Sequence, residues 1–250
     1  MDIAGRIAVV TGGASGIGRA VCEVLAEAGA RGVVIADVDA QGAAETRARI
    51  EADTAAEGLV VATDVSDEDQ VAALVAATIE RFGRIDILVN NAGICPMVPW
   101  DQTDLASWNR IIEVNLTGAY LCCRAVLPHM RAQRSGRVVF ISSAGAFMGS
   151  VTGHVAYGAS KAGMLALMKV VAKEFAADGV LANAIAPGSI DTPITASFGP
   201  ENKRKYAEAA TLKRQGTTRE LADAVLYLVS DRSTYMNGAT LHVNGGSLLV

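Results

Sequence analysis

The sequence is poor in aromatics, in proline and in net charge. Aromatic residues make up 5% of its 250 residues, prolines number six, and the formal net charge is −4. With 51% hydrophobic residues, that charge is too small for a disordered chain. Lysines and arginines are scattered, and the one run of three is Lys203, Arg204 and Lys205. A nucleic-acid protein would show a basic domain or stripe, so no nucleic-acid partner is expected. The basic trio reads as the solvated face of a helix. The four cysteines, Cys22, Cys95, Cys122 and Cys123, form no Cys-x-x-Cys pair. They are expected to be reduced small hydrophobes, which points to a reducing, cytoplasmic compartment. His129, His154 and His242 have no metal-ligand spacing, so no metal is expected. No secretory signal opens the chain. No apolar run approaches the roughly 18–20 residues of a membrane span, so no membrane partner is expected either. No repeat or linker interrupts the chain; its length allows one or two domains, and motifs running from Thr11 to Gly246 leave room for one.

Glycine is plentiful, with 25 residues, and its positions are informative. Short β-branched runs alternate with longer amphipathic stretches. Strands are predicted over Ile7–Thr11, Val33–Asp37, Leu59–Thr63, Ile85–Val89, Arg137–Ile141, Leu181–Ala186 and Thr240–Val243. Helices are predicted over 17–28, 41–52, 67–82, within 104–130, over 156–175, and over 218–229 behind a Thr-x-Glu start. The strands are near-continuous apolar runs, as expected when both faces are covered. This alternation predicts an α/β fold: a doubly wound, seven-stranded, mostly parallel sheet between two helical layers. Residues 189–216 are longer and more polar than the rest, with a helical excursion over 193–212. They are read as a substrate lid.

The first strand ends in Thr11-Gly12-Gly13-Ala14-Ser15-Gly16-Ile17-Gly18. Gly12 permits a tight turn, Gly16 lets the backbone approach a pyrophosphate, and Gly18 lets the helix pack on the sheet. Ser15, Gly16 and Ile17 then open a helix whose free N–H groups suit a phosphate. The strand–turn–helix context makes this a dinucleotide (Rossmann-type) loop. Asp37 follows Gly18 by nineteen residues, at the end of the second strand. A carboxylate there accepts both ribose hydroxyls of NAD and repels the extra phosphate of NADP. Its neighbours Ala36, Val38 and Asp39 are not basic, so NAD is the expected cofactor.

Tyr157 and Lys161 stand four apart, which on a helix places them on one face. A tyrosine pKa of about 10 is poor for proton transfer near neutrality. A cation about 4 Å away, at an effective dielectric near 20, would favour the phenolate by about 4 kcal/mol. Ser143, fourteen residues upstream, could donate to a substrate oxygen and stabilise charge developing there.

Together these residues resemble the short-chain dehydrogenase/reductase family along nearly the whole chain. Asn90-Asn91-Ala92-Gly93, Asp64-Val65, Asn115, Pro187-Gly188-x-x-x-Thr192 and the stretch from Asn237 to Gly246 match its landmarks in order. The resemblance implies Tyr157 as general acid/base, with Lys161 lowering its pKa and holding the nicotinamide ribose. Ser143 would polarise the substrate oxygen, and Asn115 would bind a water linking Lys161 to solvent. Asp64 and Val65 would contact adenine. Asn91, Ala92 and Gly93 would line the cofactor groove, followed by Pro187 and Gly188. Ile190 and Thr192 would hold the carboxamide. The Ser143–Tyr157 gap is one residue longer than the family's commonest spacing, which leaves Ser142 as a minor candidate. Asn244 stands where aspartate is frequent.

Cys95, Met97, His154 and Ser189 are candidate substrate contacts. Phe147, Met148, Ile194 and Phe198 could complete an apolar wall. The helix that carries Tyr157 is apolar nearly all round, and the family commonly forms tetramers through it, so a homotetramer is expected. The reading is an NAD-dependent oxidoreductase of a secondary alcohol or ketone. The alternatives are a 3-oxoacyl carrier-protein reductase and, from another class, a non-catalytic NAD-binding sensor or scaffold.

Overall fold

A computed structural model describes residues 3–149, 155–196 and 198–249. Its strands are β1 (Ile7–Thr11), β2 (Gly32–Asp37), β3 (Glu57–Ala62), β4 (Ile87–Asn90), β5 (Gly136–Ile141), β6 (Val180–Pro187) and β7 (Thr240–Val243). They form one sheet in the order β3-β2-β1-β4-β5-β6-β7. Every pairing is parallel, so the expected mostly parallel sheet is wholly so. All five residues of β1 are buried, with Val9 between Val34 of β2 and Leu88 of β4. Such runs are apolar because helices cover both faces.

On one face lie α3 (Glu68–Phe82), α5 (Gly118–Gln133) and α7 (Val155–Glu174), contributing Leu74, Val126 and Met168. On the other lie α1 (Gly16–Glu27), α2 (Ala40–Asp53) and α10 (Thr218–Val229), contributing Leu25, Ile50 and Val225. Cys22, Cys122 and Cys123 are free and buried in these cores. Loss of hydration pushes the Cys122 thiol up to about 12, so it stays neutral and packs as a hydrophobe.

Local chemistry sets the helix ends. Asp39 accepts from Gly42 N–H at 3.0 Å, and Asp67 from the N–H groups of Asp69 and Gln70. Such caps contribute about 1 kcal/mol each. The Thr-x-Glu start expected at Thr218 is instead a full capping box one residue earlier, with Thr217 and Glu220 bonding each other's backbone N–H. The fourth strand starts at Ile87, not Ile85, because Ile85 is held by both amide atoms of Gln133.

The long helix expected within 104–130 is α4 (Leu105–Ile112) and α5, joined by a π turn over Glu113–Thr117. Despite the lack of one long apolar run, residues Leu105–Gln133 and α7 are each apolar enough, by composition, to cross a membrane. About half of each is buried in this fold, as in core helices. The excursion after β6 divides into α8 (Pro193–Ala196) and α9 (Gly199–Ala209), and α6 (Gly145–Met148) follows β5. The basic trio lies on α9, where Lys203 pairs with Asp191 and Lys205 with Glu201.

Candidate active site

The connections leave β1 and β4 in opposite directions across the sheet, which opens a crevice beyond their carboxyl ends. A cavity of about 640 Å³ lies there. The glycine loop forms one wall. Gly12 has φ +68°, and a Cβ on it would come within 2.8 Å of the Asn91 amide nitrogen. A Cβ on Gly18 would collide with the Gly12 carbonyl oxygen, so the loop and helix meet as closely as backbone allows. Gly12, Ser15, Gly16 and Ile17 line the cavity, while Gly18 sits beneath the loop. Ser15, at the N-cap of α1, makes no side-chain cap, so the first helix N–H groups are not taken by it. Asn91 clamps the loop: its amide donates to Thr11 and Gly12 carbonyls at 2.9 and 3.1 Å.

Asp37, at the end of β2, lies at the rim. One carboxylate oxygen accepts from Ala14 N–H at 2.9 Å and the other from Asp39 N–H at 3.0 Å. Asp64 and Val65 line the same region. Burial works against the Asp64 charge, but hydrogen bonds from Ser66 and Arg110 outweigh it and hold the carboxyl below its usual range. Ala92 and Gly93 line the groove, followed by Pro187, Gly188, Ile190 and Thr192 after β6. Thr195 fixes that turn by donating to the Ile190 carbonyl at 2.8 Å.

The reactive groups sit between these walls. The hydroxyl of Ser143 is bonded to the Tyr157 phenol, and it accepts from Gly145 N–H at 3.0 Å. Ser142, the minor candidate, is buried and donates to the Lys161 carbonyl at 2.8 Å. The Lys161 ammonium sits over the Tyr157 ring. The ammonium donates to the Ile141 carbonyl at 2.8 Å and lies 5.8 Å from the Tyr157 ring centroid. Burial governs both groups. It pushes the Tyr157 phenol up, opposed by the Ser143 bond, and pushes Lys161 down to about 8. Asn115 is fully buried in the π turn, behind the cavity wall. Its amide bonds both backbone groups of Ile94, at 2.8 and 3.0 Å, and the Ser160 hydroxyl at 3.1 Å.

Cys95, Met97 and Ser189 line the cavity with Met148, Ile194 and Phe198. Phe147 does not join this wall; its ring packs on His242 at 4.8 Å. His154 lies outside the described residues, as do residues 150–153 of the Ser143–Tyr157 gap, where the extra residue is expected. Asn244, the departure near the end, closes a turn by donating to Leu248 O and accepting from Gly246 N–H; aspartate could not make the first bond.

Among the cavity residues that the sequence reading did not name, two stand out. Arg110 pairs with Asp64 at 2.9 Å, across 46 residues that no local pattern links. Tyr206 reaches the cavity from α9, packed beside Phe198 at 5.8 Å. Its only signal is the Phe198–Tyr206 spacing along a helix whose bounds were ambiguous.

The donor set suits a dinucleotide. It combines a helix N-terminus under a glycine turn that no Cβ could occupy, with a carboxylate at the adenosine end of one continuous cleft. The comparisons agree. The family model described as enoyl-(acyl carrier protein) reductase matches residues 12–247. Cis-4-hydroxycyclohexanecarboxylate dehydrogenase of Sinomonas cyclohexanicum is 43% identical over 96% of both chains. The 3-oxoacyl-[acyl-carrier-protein] reductase FabG of Vibrio cholerae serotype O1 is 36% identical over all of both. The crystal structure of levodione reductase superposes with a TM-score of 0.90 at 39% identity, covering 96% of each chain. With its motifs in one cleft and its relatives aligned end to end, this protein belongs to the short-chain dehydrogenase/reductase family, oxidoreductases of alcohols and ketones that bind a nicotinamide cofactor.

Proposed function

We propose that this protein transfers hydride between NAD(H) and an apolar secondary alcohol or its ketone, with Tyr157 as the general acid/base. One observation carries the reading: the bonded Ser143–Tyr157 pair opens into the same cavity as the glycine loop and Asp37. When bound, the nicotinamide supplies the hydride acceptor or donor. The α1 N-terminus suits the pyrophosphate, Asp37 the adenosine ribose, Asp64 and Val65 the adenine, and Ile190 and Thr192 the carboxamide. In oxidation Tyr157 Oη takes the hydroxyl proton, and Ser143 Oγ donates to the substrate oxygen as the C–H bond breaks. Lys161 stabilises the phenolate and, with Asn115 behind it, returns the site to its starting protonation. In reduction the proton passes from Tyr157 to the new alkoxide.

NAD is preferred because Asp37 repels a 2′-phosphate and, among the described residues, the cations around it are engaged, Arg19 with Glu45. Arg110 already holds Asp64, and Lys161 is at the reacting end. The apolar mouth of Met97, Met148, Ile194 and Phe198 supports a compact, ring-sized substrate. The dehydrogenase of Sinomonas cyclohexanicum has such a substrate in its name. A second reading, reduction of 3-oxoacyl thioesters, is favoured by the FabG likeness and opposed by Asp37. We place the substrate lid at 189–216, within one catalytic domain.

The test measures kcat/KM for cyclohexanol- and cyclohexanone-type substrates against acetoacetyl thioester, with NAD(H) and NADP(H). The cyclic substrates with NAD(H) are expected to lead. Asp37→Ala with Val38→Arg should move preference toward NADP by tenfold or more, about 1.4 kcal/mol. A variant that keeps the NAD preference would remove Asp37 from this role.

A further inference from the structure

The catalytic cleft lies at the carboxyl edge of the sheet. At the opposite, amino edge is a second cavity of about 200 Å³, lined by Arg6, Arg84, Asp86, Ser135 and Arg137 with the backbone of residues 4 and 5. Parallel strands bring these residues together. Arg6 directly precedes β1, Arg84 and Asp86 precede β4, and Arg137 is the second residue of β5.

The charges around this cavity do not cancel. Asp86 is buried and fully engaged: Arg84 Nε reaches both its oxygens at 3.0 Å, and Ile7 N–H donates to it at 2.9 Å. Arg6 donates to the Val229 carbonyl at 2.7 Å and pairs with Asp231. Arg137 has only the outer contact left: its guanidinium lies 3.8 Å from the same Asp231, which is 71% exposed, and it donates to its neighbour Gly136 O at 3.0 Å. Its side chain is 12% exposed, and its Nε is buried without a hydrogen-bond partner. Burial and the facing Arg6 charge both weaken the guanidinium's hold on its proton, while Asp231 opposes them. Three guanidinium groups thus face two carboxylates, and the least satisfied cation is the most buried of the three. Burying a cation without a full partner is among the least favourable arrangements a fold can contain.

We propose that this cavity is a binding site for a small oxyanion, a phosphate- or carboxylate-sized group held by Arg137, Arg6 and Arg84. Guanidinium groups present paired N–H donors that match such oxygens. The volume is below that of ordinary cofactor pockets, about 300–1,000 Å³, which excludes a nucleotide and leaves room for a single anion with water. The bound anion would tie together the starts of β1, β4 and β5 and the segment after α10. It acts on the stability of the sheet and is independent of the reaction proposed above.

Thermal unfolding of the full chain tests this. Phosphate, sulfate and acetate at 10 mM are compared with sodium chloride at matched ionic strength. For millimolar binding, phosphate is expected to raise Tm by about 2–4 °C over chloride, in a saturable way. The sulfate and acetate arms identify which oxyanion geometry the site prefers. Arg137→Met should lose the rise. Ser135→Glu, at an exposed position of the rim, places a carboxylate in the cavity; it should raise Tm without phosphate and abolish the response. If Arg137→Met does not fold, Ser135→Glu decides. The glycine loop is another place for phosphate, and neither variant touches it. A rise that is undiminished in Ser135→Glu therefore belongs to the loop and overturns the proposal, as does no rise over chloride in the parent protein.

Discussion

At Lys161 the fold holds a cation that burial disfavours. Its pKa of about 8, against an ordinary 10.5, means that the charged form is bound less well by the folded than by the unfolded chain. The penalty is present in full below about pH 8 and fades as pH rises toward 10.5. At neutral pH it amounts to about 3 kcal/mol, at about 1.4 kcal/mol per tenfold change in proton affinity. Lys161→Met is therefore expected to raise Tm by several degrees at pH 7 and to abolish turnover. The gain should shrink between pH 8 and 10.5, as followed by melts across that range. Equal melts of parent and variant at pH 7 would sink the argument. The four-residue spacing of Tyr157 and Lys161 was legible from the helical repeat. The direction of the ammonium was not. A lysine has four rotatable bonds, and the Ile141 carbonyl that captures it lies on another element, twenty residues back. Asp37, by contrast, could be read in advance because its place depends only on where a strand ends.

Between α4 and α5 the π turn inserts one residue into a helical run, which re-aims Val114 and Asn115 into the core. Composition and apolar periodicity change too little over five residues to reveal it, so the run read as one helix. The turn brings Asn115 Oδ1 against the loop after β4, where a Cβ on Gly93 would stand 3.2 Å from it and 3.3 Å from Lys161 Nζ. Gly93→Ala must displace one of them. The expected result is a fall in kcat/KM of about tenfold or more, since sub-ångström misplacement of reacting groups is amplified in rate. Stability should fall by about 1–3 kcal/mol, the usual cost of overpacking by one methyl group. Paired kinetics and denaturant titration separate the two effects. An unchanged rate would show that the loop yields freely. The start of the helix over 67–82 was more legible, since the Asp67 cap acts within three residues of sequence. The ambiguous 193–212 segment was not, because its two short helices are held by contacts such as Lys203–Asp191 instead of by a core-facing stripe.

For the molecule as a whole, strand identities and the parallel sheet could be read from alternation, but strand order could not. Nothing local says that β1 lies between β2 and β4. The outward side of α7 carries Ala159, Ala166 and Val170, the last 55% exposed, and Tyr120 of α5 is 47% exposed. That apolar surface accords with the homotetramer we propose, and sedimentation at micromolar concentration should give four chains per particle. A stable monomer would refute it.

The central place of β1 has a consequence for synthesis. The first three strands can pair as β3-β2-β1 once residue 62 has left the ribosome. The other edge of β1 must then wait for residues 87–90. During that interval a parallel edge that is apolar except for Thr11 stands open, and such edges template association between chains. Refolding yield after dilution from urea is therefore expected to fall as protein concentration rises, and a yield independent of concentration would contradict this. The strand that anchors the cofactor loop in the finished enzyme is, while the chain is being made, its most vulnerable edge.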